Sequence, residues 1–227
     1  MKNSSLSHKS RSILFRCFTF VLITCSSWSF AQHTSNFTKV NARIILNANS
    51  DLVEVSQTNE WTNSSSEALS ELYFYDWNNA YSSKTSKLAE EFISDFKKAF
   101  HLSSDERKGF TQINFIVVGK DTLLPEYTDA DIFKIKLVEP IKSGERLKID
   151  LNYRLKLPDS KFTNYGYDSN YIKLTNFLLL NCELNAEDNS FTTYANHNLN
   201  DQYNPVSTYE IEFINRTDLN LYSNLNF

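Results

Sequence analysis

Side chains able to carry catalysis or hold a metal are sparse in this sequence. The four histidines are His8, His33, His101 and His197, and none is followed by glutamate. The H-E-x-x-H arrangement, which sets two imidazoles and a general base on one helical face around zinc, therefore does not occur. His197 sits in the polar run 195–201 with no second histidine near it, so a hydrogen-bonding surface role is expected of it rather than ligation. Asp129-Ala130-Asp131 and Glu187-Asp188 are the only acidic clusters that hint at calcium. Neither continues into the glycine-containing loop that bends enough carboxylates around one ion, so both read as solvated loops. Cys182 ends the run Phe177-Leu178-Leu179-Leu180-Asn181, where a buried, inert thiol is expected rather than a nucleophile. The sequence has no G-x-S-x-G elbow, Walker loop, G-x-G-x-x-G turn or Cys-x-x-Cys pair. It nominates no catalytic, cofactor-binding or metal-ligating residue, and no cofactor.

Tyr165, Tyr167, Tyr171, Tyr194 and Tyr203 alternate with many asparagines, and aromatic faces beside amides are what a sugar-binding surface uses. A plainer account is equally physical. Tyrosine suits strands and keeps its hydroxyl at the sheet surface, while asparagine takes the turn positions that the four glycines cannot fill.

The elements that would position these groups are mostly strands. In Leu147, Ile149, Leu151, Tyr153, Leu155 and Leu157 apolar residues alternate with Lys148, Asp150, Asn152, Arg154 and Lys156, giving one dry and one solvated face. The same logic predicts strands over Val40 to Leu46, Leu52 to Trp61, Leu72 to Trp77, Ile113 to Val118, Ile132 to Leu137 and Tyr209 to Ile214. Asn47 to Asp51 and Ser143-Gly144-Glu145 fall where antiparallel neighbours would be joined, so the sheet is expected to be antiparallel. One window differs. Leu88, Phe92, Ile93, Phe96, Ala99 and Phe100 recur at helical spacing opposite Glu90, Glu91, Asp95, Lys97 and Lys98, which predicts one amphipathic helix over about 86–100. The run 82–86 supplies side-chain oxygens for its first N–H groups, and its polar face is not basic enough for a membrane surface. No internal repeat or low-complexity tract is visible.

Composition agrees with a packed domain: of 227 residues 41% are hydrophobic and 14% aromatic. A net charge of −4 leaves no basic excess to displace counterions from phosphates, which argues against nucleic acid as a partner. Residues 1–31 read as a signal peptide, with Lys2, Lys9, Arg11 and Arg16 ahead of and flanking the apolar run Phe18 to Ile23, and Ser29-Phe30-Ala31 as a small-x-small cleavage site. Arg16 and the serines at 26, 27 and 29 leave that run too short to span a bilayer. A lipoprotein attached through Cys25 is the lesser alternative. Removing 1–31 deletes four basic and no acidic side chains, which moves the net charge from −4 to about −8 and leaves Cys182 without an intrachain partner. A periplasmic or extracellular destination is expected.

Three stretches together resemble a known family. Ser70-Glu71-Leu72-Tyr73-Phe74-Tyr75-Asp76-Trp77-Asn78-Asn79-Ala80-Tyr81 followed by Ser86-Lys87-Leu88-Ala89, then Pro140 to Leu147, then Leu157-Pro158-Asp159-Ser160-Lys161-Phe162-Thr163-Asn164-Tyr165-Gly166, with Asn198-Leu199-Asn200-Asp201 later, resemble the N-terminal β domain of exported aminopeptidase N-like (gluzincin) zinc metallopeptidases of Bacteroidetes type. The resemblance covers about 37–227. It implies a mainly β fold, an antiparallel saddle- or sandwich-like domain over 32–227 that leads a thermolysin-like catalytic domain and helps wall its cleft. In the family the chemistry lies further on, in a G-x-M-E-N-type segment, an H-E-x-x-H motif and a downstream glutamate. This sequence has neither motif, so no catalytic residue is carried over. Because the family's chain continues beyond the position of Phe227, the domain is expected to be cut near its C-terminal end, within another strand over 219–222. Phe177 to Leu180 departs from the Trp- and Tyr-rich version of this stretch, so the resemblance does not carry a cleft-lining role onto it.

The expected function is thus a non-catalytic domain that shapes or docks to a metallopeptidase catalytic domain, with no membrane span. The alternatives are a free-standing glycan-binding or adhesion module, and a non-catalytic subunit of a split zinc aminopeptidase. Self-association through the C-terminal edge strand, over 215–227, is also expected, since Leu221, Tyr222, Leu225 and Phe227 come with no lysine or proline. Purified 32–227 is expected to hydrolyse no aminoacyl chromogenic substrate and to retain no stoichiometric zinc after dialysis. One equivalent of zinc together with chelator-sensitive activity overturns this reading.

Overall fold

The alternation centred on Leu151 becomes the middle of a large sheet. The structure, a computed structural model, describes residues 38–195, 203–220 and 222. The proposed signal peptide with Cys25, the histidines at 8, 33 and 197, the 198–201 passage and all of 221–227 except Tyr222 lie outside the described residues. The first strands are β1 (Thr38–Asn47), β2 (Leu52–Thr62) and β3 (Leu69–Tyr75). Four more follow as β4 (Phe110–Val118), β5 (Asp121–Leu123), β6 (Glu126–Asp129) and β7 (Ile132–Ile141). After β8 (Arg146–Lys156) come the short β9 (Gly166–Asp168), β10 (Tyr171–Lys173), β11 (Leu180–Asn181), β12 (Leu184–Asn185) and β13 (Ser190–Phe191). The long β14 (Ser207–Arg216) ends the series.

The large sheet runs β14-β1-β2-β8-β4-β5 and a smaller one runs β11-β3-β7-β6. The large sheet's inward rows, Val40, Ala42 and Ile44 of β1, Val53 and Val55 of β2, and Ile149, Leu151 and Leu155 of β8, share one hydrophobic core with Leu72, Phe74, Phe133 and Ile135 of the smaller sheet. The fold is mainly β, with two facing sheets and few helices.

The sheets are antiparallel as expected, with one exception: β14 lies parallel to β1 from Thr38↔Ser207 to Asn47↔Arg216. A strand that returns from the far end of the chain is not bound to the hairpin geometry that makes β1 and β2 antiparallel. Contrary to expectation, Ser143-Gly144-Glu145 does not join hydrogen-bonded neighbours: β7 belongs to the smaller sheet and β8 to the larger. This turn hands the chain from one sheet to the other. It is fastened to the β2 end by Gly144 N donating to Asn63 O at 2.7 Å and Asn63 N to Glu145 O at 2.9 Å.

The helix is shorter than its periodicity predicts. Helix α1 (Lys87–Ser94) starts where Ser86 Oγ accepts from Ala89 N at 3.2 Å, a cap drawn from the expected serine-rich run. It buries Leu88, Ala89 and Phe92. At its end Phe96 takes φ 59°, Phe96 N donates to Ile93 O at 2.9 Å and Lys97 N to Phe92 O at 2.7 Å, the paired bonds of a Schellman stop. The chain then restarts as α2 (Ala99–Leu102). The break has a packing reason. It brings Phe100 into the core, 5.4 Å from Phe92 and 5.1 Å from Phe162, while Ile93 and Phe96 stay exposed.

Two backbone positions give opposite expectations. Phe96 holds a left-handed conformation with its ring 86% exposed, so Phe96→Gly loses no packing and is expected to stabilise the fold by up to about 1 kcal/mol. Gly166 sits at φ 130°, and a Cβ there would meet Pro158 O at 2.2 Å, so Gly166→Ala is expected to cost several kcal/mol. Urea denaturation midpoints of the two variants check both signs.

Candidate functional site

Where β3 ends, the sequence Asp76-Trp77-Asn78-Asn79-Ala80-Tyr81 leaves the sheet and turns into one 3-10 helix over Trp77–Tyr81. Asp76 is its cap and is buried, 1% exposed. Its Oδ1 accepts from Thr111 Oγ1 of β4 at 2.6 Å and from Asn79 N at 3.3 Å, and its Oδ2 accepts from Tyr127 OH of β6 at 2.7 Å. Asp76 N donates to Asp131 O at 2.8 Å. The two asparagines extend the network. Asn79 Nδ2 donates to Ala130 O at 2.5 Å while its Oδ1 accepts from Thr111 N at 3.2 Å. Asn78 Nδ2 donates to Lys156 O at 3.3 Å, and Asn78 Oδ1 accepts from Tyr165 OH at 2.7 Å. Tyr81 OH lies 3.0 Å from Thr163 Oγ1, with its ring 5.5 Å from that of Tyr165.

Burial pushes the Asp76 carboxyl up to about 6, opposed by the hydrogen bonds from Thr111, Tyr127 and Asn79. Burial also pushes Tyr81 up to about 12, and Tyr127 and Tyr165 well above their ordinary range. A perturbed carboxyl among tyrosines is the composition of many acid–base sites. Here both carboxylate oxygens are already engaged by protein donors, and the group is enclosed. The arrangement ties the smaller sheet to β4 and β8 of the larger one; it is a lock rather than a reaction centre.

A second buried network was missed by sequence reasoning. Gln57 Nε2 donates to Leu179 O at 2.6 Å, Asn59 Nδ2 to Leu179 O and to Asn181 Oδ1 at 3.0 Å each, and Tyr153 OH to Gln57 Oε1 at 2.6 Å. The signal was present. Gln57 and Asn59 occupy the inward rank of β2 between Val55 and Trp61, so the period-two pattern places two amides on the dry face. They anchor Leu179 and Asn181 to β2, at the end of the Phe177 to Leu180 stretch that departs from the resembled family.

The other singled-out residues are scattered. Asp131 is buried, 1% exposed, and so is not part of a solvated loop; its backbone carbonyl is drawn in by Asp76 N. Asp129 closes its own turn, its Oδ1 accepting from Ala130 N at 2.7 Å. Asp188 is exposed and accepts from Ser190 N and Oγ, which lowers its carboxyl. Among the described residues no group of three or more His, Cys, Asp or Glu is placed to hold a metal ion. His101 Nε2 lies 2.8 Å from Ala89 O and so links α2 to α1. Cys182 is buried beside Tyr75, Trp77 and Ile132, and burial pushes its thiol up, away from the nucleophilic thiolate. The five tyrosines do not form one surface. Tyr165 is in the core lock, Tyr167 of β9 packs partly buried against the core, Tyr194 and Tyr203 pack on the Tyr75–Trp77 cluster, and Tyr171 is exposed on β10. Among the described residues no helix is long and apolar enough to cross a membrane.

An apolar groove of about 470 Å³ lies between β14 and the segment before β11, lined by Leu174, Phe177, Leu178, Pro205, Tyr209 and Ile211. Val206 beside it is 66% exposed and Tyr209 is 40% exposed. Thr175, Asn176, Asn204 and Ser207 complete its wall.

No family model matches the sequence, and no curated protein matches it. Solved structures similar to part of the chain include an M1 zinc metallopeptidase from Deinococcus radiodurans, at 10% identity and TM-score 0.34, covering 54% of this chain and 20% of that one. A two-domain mutant M1 zinc metallopeptidase bound to L-arginine gives the same identity, coverage and score. An aminopeptidase N family protein from Idiomarina loihiensis has 12% identity and TM-score 0.25, covering 53% of this chain and 15% of that one. The chain therefore spans about a fifth or less of the structures it matches.

The lock gives the fold a pH dependence of definite sign. Folded Asp76 takes up its proton at about 6 and the unfolded chain near the ordinary 3.8, so the folded state holds that proton more tightly. Its contribution is complete below the lower value and is lost as pH rises through the upper one, by up to roughly 3 kcal/mol. In Asp76→Asn, which cannot titrate, this slope is expected to vanish. Urea midpoints of wild type and variant at about pH 4 and about pH 7 test it, with the difference between the two proteins changing across that window.

Proposed function

We propose that this chain is the exported, non-catalytic β domain of an aminopeptidase N-like metallopeptidase of Bacteroidetes type, acting by shape: it docks against a catalytic domain and walls part of its substrate cleft. The observation that carries this reading is a convergence. The passages 70–89 and 157–166, which bear the family resemblance and lie far apart in sequence, meet in the single lock where Tyr165 OH donates to Asn78 Oδ1 at 2.7 Å. Scattered matches to a family pattern have no reason to assemble in space. A structural unit does.

The same geometry gives these passages an architectural task. Asp76, Asn78, Asn79 and Tyr81 spend their polar groups on the protein's own backbone and side chains, leaving none for a substrate. The groove beside β14 and that strand's outer edge are the surfaces on which a catalytic domain, or a second copy, would seat. A glycan-binding module is the weaker reading because Tyr165 is withdrawn into the core and Tyr194 and Tyr203 pack on Tyr75 and Trp77. A subunit of a split aminopeptidase would use the same docking surfaces with a separately encoded catalytic chain.

The test is reconstitution. The mature chain is mixed with a separately produced aminopeptidase N-like catalytic domain lacking its own β domain, and association is followed by size exclusion alongside peptide hydrolysis. A stoichiometric complex with raised kcat/KM supports the proposal. No association at micromolar concentration, with saturable binding to an immobilised glycan, overturns it in favour of the adhesion module.

A further inference from the structure

The edges of the two sheets are treated unequally. The smaller sheet ends in β11, two residues long, and in β6, four residues long with a register shift against β7. The large sheet ends on one side in β5, three residues long. Short and irregular edges are the usual protection against unwanted pairing. The other side ends in β14, ten residues in unbroken register with β1, without lysine, proline or bulge, and with none of its ten residues buried. Its inner row of Tyr209, Ile211 and Phe213, continuous with Val40, Ala42 and Ile44, is only partly covered.

Among the described residues no strand pairs with the outer edge of β14, and such a row of main-chain N–H and C=O groups calls for an extended strand, since a helix has no free groups along its flank to offer. We propose that the strand is β14 of a second copy, paired antiparallel about a two-fold axis through Phe213. The sequence of β14 selects this register. With Phe213 opposite Phe213, Glu210 of each copy stands opposite Arg216 of the other on the outer face, and Glu212 opposite Ile214. Centring on Ile211 would set Glu210 against Glu212, centring on Glu212 would pair that carboxylate with itself, and centring on Ile214 would set Glu210 against Asp218. Only the Phe213-centred pairing supplies two Glu–Arg pairs with no opposed carboxylates. Within one copy, Lys39 and Arg43 already hold Glu210 and Glu212 on this outer face, at 3.8 Å and 3.1 Å, so the carboxylates are oriented before the strands meet. Pairing joins the two large sheets into one continuous sheet. The inference is argued from the strand edge and not from the peptidase reading; a catalytic domain seated on this edge would compete with the second copy.

Sedimentation velocity of the mature chain at micromolar concentrations is expected to show a reversible monomer–dimer equilibrium. Arg216→Glu, which sets carboxylates against Glu210, is expected to raise the dimer dissociation constant by about tenfold or more. Adding Glu210→Arg to it is expected to restore the dimer, with circular dichroism confirming that each variant is folded. Register is read by cross-linking. Phe213→Cys lies on the axis within disulfide reach of its own copy, whereas Ile211→Cys faces Asn215 and is not. Oxidation should therefore give a covalent dimer from the first and not from the second. A wild-type monomer throughout the range, an Arg216→Glu dimer as tight as wild type, or cross-linking at 211 but not at 213 each overturns the proposal.

Discussion

A carboxylate removed from water must find donors on every side, and Asp76 finds them on separate elements of the fold. Thr111 belongs to the large sheet, Tyr127 to the smaller one, and Asn79 to the turn that leaves it. No local segment can supply these donors; they come together only when both sheets are in place, and they offset part of the cost of burying the charge. Burial of apolar rows holds two sheets together without fixing their relative position. The directional bonds at Asp76, Asn78 and Asn79 supply that position, and the loop carrying Tyr165 is pinned by the same amide groups.

The amides of β2 act similarly at the opposite margin of the core. Leu179 O accepts from both Gln57 and Asn59, which brings the irregular chain before β11 onto the inner face of the large sheet. That segment in turn forms one wall of the groove beside β14. The wall of that groove is thereby positioned by two polar side chains on the inner face of the large sheet.

Most of the sheet was legible because its faces differ in wetness. The alternation around Leu151 and along Val40 to Leu46 states both the strand and the side it buries, and Ser86 announces the start of α1. What was not legible depended on distant partners. Nothing local distinguishes a Gly144 turn that closes a hairpin from one that changes sheets. The parallel seat of β14 is decided by β1, far away in the chain. Phe96 fits the helical period, and only the pull of Phe100 into the core ends the helix before it. The lock was visible as a family-like string but not as chemistry. Asp76, Asn78 and Asn79 look like turn residues until Thr111, Tyr127 and Tyr165 are brought around them.

The parallel seat of β14 against β1 bears on the order in which the molecule assembles. The first and last described strands must find each other across nearly the whole chain, whereas β1 and β2 close through a turn of a few residues. Loop closure of that span is slow and contributes little until the intervening sheets exist. The final strand therefore joins a template already built, held by one row of neighbours and with none of its ten residues fully covered. Such an element is the natural unit of partial opening. Its departure would leave the inward rows of β1, β2 and β8 packed on the smaller sheet, so amide exchange is expected to be fastest along β14 and slowest in that core.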